Sequence, residues 1–201
     1  MYRNYQLVLS ILILIGAKPL WSADQDWAVY LGDNASSQYS TLSQITPRNV
    51  SDLKVVWTYH SGGASKENRT QIQCNPLIID GVLYGTSPDL ILFALEAATG
   101  KELWRLDPNP GVMRNGLGKN RGVTYWSRGS DRRILFGVES ELLCVNLDTG
   151  KLITDFGENG RVNLKEGLDR DTSNLTFHAN TPGIIFEDLI IIGGRLNEAL
   201  P

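Results

Sequence analysis

Apolar residues along this chain come in short runs rather than at helical spacing. Residues 71–80, 82–87, 90–95, 102–107, 122–126, 133–138, 141–147, 181–186 and 189–193 are rich in Val, Ile, Leu, Tyr and Phe, with Gly, Asp, Asn or Pro between them. Runs of this length bounded by turn formers read as β-strands. Asp80-Gly81 and Thr149-Gly150 fall between such runs, where a tight reversal needs residues that tolerate positive φ. No segment sustains a helical stripe, so the pattern predicts an all-β fold.

The strands also repeat. Phe93-Ala94-Leu95-Glu96-Ala97-Ala98-Thr99-Gly100-Lys101 matches Leu143-Cys144-Val145-Asn146-Leu147-Asp148-Thr149-Gly150-Lys151, with Thr99 and Thr149 standing 50 positions apart. Gly81-Val82-Leu83-Tyr84 and Arg133-Ile134-Leu135-Phe136 supply an apolar hairpin arm before each copy. A further arm begins at Thr181-Pro182-Gly183-Ile184-Ile185, and Leu53-Lys54-Val55-Val56-Trp57 has the look of a closing strand from a preceding unit. A period of about 40–50 residues with roughly four strands per unit is the spacing of β-propeller blades.

Composition narrows the class further. With 42% hydrophobic and 20% charged residues, the chain is neither a disordered tail nor a polytopic membrane protein. Lys+Arg 19 against Asp+Glu 22 leaves no cationic footprint for nucleic acid. Arg3, an apolar run over residues 7–17 and the small Ser22 and Ala23 follow the order of a secretory signal, so residues 1–23 are expected to be a cleaved leader and 24–201 an exported, periplasmic domain. An uncleaved anchor is the competing reading, although the run is shorter than the ~20 residues a spanning helix needs. Export would permit a bridge between Cys74 and Cys144; because both sit in apolar strand-like segments, two buried free thiols are expected instead.

The segment Ala94-Leu95-Glu96-Ala97-Ala98-Thr99-Gly100-Lys101-Glu102-Leu103-Trp104 closely resembles the tryptophan-docking motif of the quinoprotein alcohol and glucose dehydrogenases. In that motif an indole wedges between adjacent blades and buries apolar area. The second copy carries Thr154 where the tryptophan would stand and Cys144 in place of the small alanine, so its blade contact is expected to be weaker. Further resemblance is carried by Asp26-Trp27-Ala28-Val29-Tyr30-Leu31-Gly32-Asp33, by Gln73-Cys74-Asn75-Pro76, by Asn120-Arg121-Gly122-Val123-Thr124-Tyr125-Trp126 and by Gly160-Arg161-Val162-Asn163-Leu164. The last of these is nearest the glucose-dehydrogenase branch. The family fold is an eight-bladed ring; without its leader the chain has roughly 178 residues, or about four blades. The expectation is therefore the N-terminal half of a quinoprotein propeller.

The resemblance implies chemistry residue by residue. Family members hold pyrroloquinoline quinone (PQQ), a tricyclic orthoquinone with three carboxylates, together with calcium or another divalent metal. Arg121 matches the arginine near the quinone oxygens, with a surface ion pair as its structural alternative. Gln73, Asn180 and Thr181 match positions beside the cofactor, and His178 could join them. Glu198, or Asn197 one residue away, matches the acidic metal ligand. The adjacent-cysteine ring of some members is absent, since Asn115 and Gly116 occupy those positions. Trp104 and Trp126 are read as blade packing rather than cofactor stacking. No aspartate falls in a segment matching the family's catalytic base, so no catalytic residue is assigned. The implied function is PQQ-dependent oxidation of CH–OH groups of glucose, another aldose or an alcohol, with a respiratory quinone or cytochrome as acceptor, here as an N-terminal fragment without its base. The competing class is a non-catalytic propeller scaffold for protein–protein contacts in the cell envelope.

Overall fold

A computed structural model of the chain describes residues 26–64, 70–111 and 119–196. Four antiparallel strands, β1 (Leu77–Ile79), β2 (Val82–Thr86), β3 (Leu92–Glu96) and β4 (Glu102–Leu106), form a sheet in chain order. A second sheet repeats that order with β5 (Thr124–Arg128), β6 (Asp131–Val138), β7 (Glu141–Asn146) and β8 (Arg161–Asn163). These are two complete propeller blades. A third unit starts with the hairpin of β10 (Ile184–Phe186) and β11 (Leu189–Ile191), while β9 (Phe177–His178) pairs with β12 (Arg195–Leu196).

The predicted runs survive as strands with shifted ends: most are trimmed, while β5 runs on to Arg128 and β6 begins at Asp131. Only Leu77–Ile79 of the run 71–80 enters a ladder, because the residues before it run along the blade edge toward their counterparts in the next blade. Residues 53–57 join no ladder either, and Val55 and Val56 are each 84% exposed. The Asp80-Gly81 reversal is as expected, with φ of +50° and +76° satisfying a two-residue hairpin turn.

Period-two alternation decides which blade each side chain faces. Ile134, Phe136 and Val138 of β6 share one core with Leu77, Ile79, Tyr84, Leu92 and Ala94 of the first blade. Leu135 between them turns the other way, joining Leu142 and Cys144 against Ile190 and Ile192 of the third unit. The apolar core thus lies between blades.

Tryptophan docking takes a definite form. Trp104 of β4 donates from Nε1 to Leu147 O (3.2 Å), and a Cβ at Gly150 would stand 2.5 Å from its indole. Trp57 repeats this on the first blade, donating to Ala97 O (3.1 Å) and leaving the same 2.5 Å over Gly100. Both glycines hold positive φ, +72° and +69°, so they meet a steric and a conformational demand at once. The segment 53–57, expected to be a closing strand, is not one, but its Trp57 makes a docking contact that the sequence did not single out. Between the second and third units, Trp126 of β5 donates to Glu187 O (3.3 Å) in the β10–β11 turn, and Arg128 pairs with Asp188. Cys74 and Cys144 are free thiols.

Candidate functional site

Three short segments precede the first strands of the three units: 73–75 before β1, 119–122 before β5 and 178–182 before β10. They lie side by side, tied by backbone hydrogen bonds from Asn75 N to Arg121 O (2.9 Å) and from Arg121 N to Asn180 O (2.8 Å). Gly122 makes the approach possible: at φ +148°, a Cβ there would stand 2.9 Å from Asn75 O and 3.2 Å from Pro182.

Alternation along these segments sorts the side chains. Asn120 points into the protein, 4% exposed, where it accepts from Gly122 N (2.8 Å) and Thr86 Oγ1 (3.2 Å) and donates to Gly137 O (3.1 Å). Its neighbours Lys119 and Arg121 are left facing a cleft of ≈ 500 Å³. Ala179 is likewise buried, against Gly137, while His178 and Asn180 reach the cleft. Cys74 turns inward and its sulfur accepts from Thr86 N (3.3 Å), leaving Gln73 on the cleft side; burial pushes the Cys74 thiol up.

Gln73, Arg121, Asn180 and Thr181, distant in sequence, therefore line one cleft, together with His178. Sequence reading missed three contributors. Lys119 stands two positions before Arg121, a spacing that alternation in an extended segment could have exposed. Asn120 signalled only as part of a motif, not as a buried anchor. Arg195 reaches the cleft because β12 pairs back onto β9, which no local pattern announced. Among the described residues the lining includes Lys119, Arg121 and Arg195 and no carboxylate. Trp104 and Trp126 stand outside it, in blade contacts. Asn197 and Glu198, Asn115 and Gly116, and residues 1–23, expected to be a leader, lie outside the described residues.

Residues 27–201 match the family model for the glucose/ethanol/alcohol dehydrogenase beta-propeller domain of the PQQ type. The chain belongs to this quinoprotein family. Quinoprotein glucose dehydrogenase A of Acinetobacter calcoaceticus is 31% identical over 199 residues, covering 88% of this chain and 25% of the relative. The glycerol dehydrogenase large subunit of Gluconobacter oxydans is 31% identical over 175 residues, 81% of this chain and 24% of its own. The chain thus spans about a quarter of the length of these curated relatives. Among solved structures, quinohemoprotein alcohol dehydrogenase from Comamonas testosteroni superimposes with a TM-score of 0.64 at 24% identity, covering 85% of this chain and 23% of that one, which establishes the shared fold.

The donor set of this quinoprotein cleft fits a polycarboxylate quinone. Guanidinium and ammonium groups pair with carboxylates, and the amides of Gln73 and Asn180 and the hydroxyl of Thr181 can donate to quinone or carboxylate oxygens. Among the described residues no group of three or more His, Cys, Asp or Glu side chains could hold a metal.

Proposed function

We propose that the cleft is part of the PQQ site of an exported dehydrogenase that oxidises CH–OH groups of a sugar or alcohol and delivers electrons to a quinone or cytochrome. PQQ, when bound, supplies the hydride-accepting carbonyl that protein side chains lack. The names of the relatives support the substrate class: glucose, glycerol and, in Thauera butanivorans, 1-butanol with cytochrome c. Within the cleft, Arg121 offers a rigid planar fork whose geometry suits a carboxylate or a quinone oxygen. Gln73 donates an amide hydrogen without the repulsion a carboxylate would bring. Asn180 holds Arg121 in place through its carbonyl and presents its side chain on the same rim. Glu198 or Asn197 would supply oxygen to calcium or another divalent metal.

The observation that carries this reading is the convergence of Gln73, Arg121, Asn180 and Thr181 on one cleft whose described lining is cationic and amide-rich. The full chain, titrated with PQQ with and without calcium and followed by tryptophan fluorescence, is expected to bind one equivalent saturably. Arg121→Gln should weaken binding about tenfold or more, the loss of a charge-assisted pair. Failure of the unmodified chain to bind under both conditions would favour the scaffold reading.

A further inference from the structure

We infer that Lys119 and Arg195, which the sequence motifs did not mark, form a second cationic pole of the cleft that holds carboxylate groups of the cofactor. This rests on the PQQ reading above. The two residues arrive from different units. Lys119 is set by the buried anchor Asn120, which forces its neighbours outward. Arg195 is set by the β9–β12 pair, in which Arg195 stands opposite His178 and Leu196 opposite Phe177. Residues directly opposite each other share a face of the sheet, so Arg195 and His178 face the cleft together. Gly194 keeps this pairing close: a Cβ there would meet the Phe177 ring at 2.0 Å. A larger residue at 194 would push β12, and Arg195 with it, off the rim.

Charge balance points to the ligand. Arg105, Arg128, Arg132, Arg133 and Arg161 on the blade sheets each face a carboxylate of this chain. Among the described residues Lys119, Arg121 and Arg195 have no such partner, yet they share one cleft. Three cations around a common volume repel one another unless an anion comes between them, and their attraction to one strengthens as water leaves the cleft. A ligand with three carboxylates matches three fixed cations in number. A neutral sugar or alcohol has no use for them.

The test measures binding rather than turnover. PQQ is titrated by equilibrium dialysis at about 20 mM and about 300 mM salt into the unmodified chain, Lys119→Met, Arg195→Met, the double variant and Arg121→Gln; the PQQ trimethyl ester is titrated in parallel. Each single methionine variant is expected to weaken PQQ binding about tenfold, and the double variant to lose most of the salt dependence, while ester binding changes by less than about twofold. Arg195→Lys, which keeps the charge, should recover part of the loss. Wild-type-like PQQ binding in Lys119→Met and Arg195→Met, with Arg121→Gln still impaired, would overturn the second pole and leave the cofactor reading intact. No PQQ binding by the unmodified chain would instead remove the cofactor reading itself. Should the methionine variants misfold by circular dichroism, the unmodified chain decides: binding of acid and ester with equal affinity and equal salt slope overturns the inference.

Discussion

Replacing Asn120 by alanine tests how the cleft is built. The side chain is 4% exposed and makes three hydrogen bonds: from Gly122 N, from Thr86 Oγ1, and to Gly137 O. Each is worth about 1 kcal/mol net, so Asn120→Ala should cost about 3 kcal/mol and strip a partner from three groups near the core. In a domain of this size that lowers the melting temperature by about 6–12 °C. Thr86→Val removes one of the three and should cost about 1 kcal/mol. Urea unfolding followed by tryptophan fluorescence gives both values. PQQ affinity measured below the transition should also fall in Asn120→Ala, although Asn120 itself does not line the cleft, because Lys119 and Arg121 lose the anchor between them. Stability of Asn120→Ala within about 0.5 kcal/mol of the parent would refute this account of the rim.

The docked tryptophans allow a thermodynamic cycle. Gly150→Ala places a Cβ 2.5 Å from the Trp104 indole at φ +69° and should cost about 2 kcal/mol or more; in a Trp104→Ala background only the backbone share of about 1 kcal/mol should remain. Equal costs in the two backgrounds would mean that the indole does not rest on this turn. Burial pushes the Cys144 and Cys74 thiols up, so their contribution to stability is complete below the unfolded thiol value of about 8.5 and is lost as pH rises through the folded value. The urea midpoint should therefore fall between about pH 8 and 10, less steeply in Cys144→Ala; a midpoint that climbs over this range contradicts the burial argument. In the same pH range Ellman's reagent should label Cys144, which has no exposed surface, at least about a hundredfold more slowly in the folded chain than in urea.

Much of the fold was legible because strand formation and blade docking are local in their demands. Short β-rich runs, a two-residue turn at Asp80-Gly81 and the repeated Thr-Gly turn write those demands into consecutive residues. The missing tryptophan at Thr154 was legible too, as a gap in the docking pattern, but not the contact of Trp126 with Glu187, 61 positions away. Gln73, Arg121, Asn180 and Thr181 could be named from motif resemblance, one at a time, without any means of knowing that they meet.

Tertiary structure decided the meeting. Hydrogen bonds through Arg121 join three blade edges that the sequence spreads over more than a hundred residues, and the return of β12 onto β9 adds Arg195 to the same wall. Alternation then settles which residues are anchors and which are contacts: Asn120 inside, Lys119 and Arg121 outside. The sequence by itself determined most of the strands, the turns and the docking of Trp104, because backbone geometry and apolar periodicity act between neighbours. The charge of the cleft is a sum over segments that only packing brings together, so it belongs to the fold.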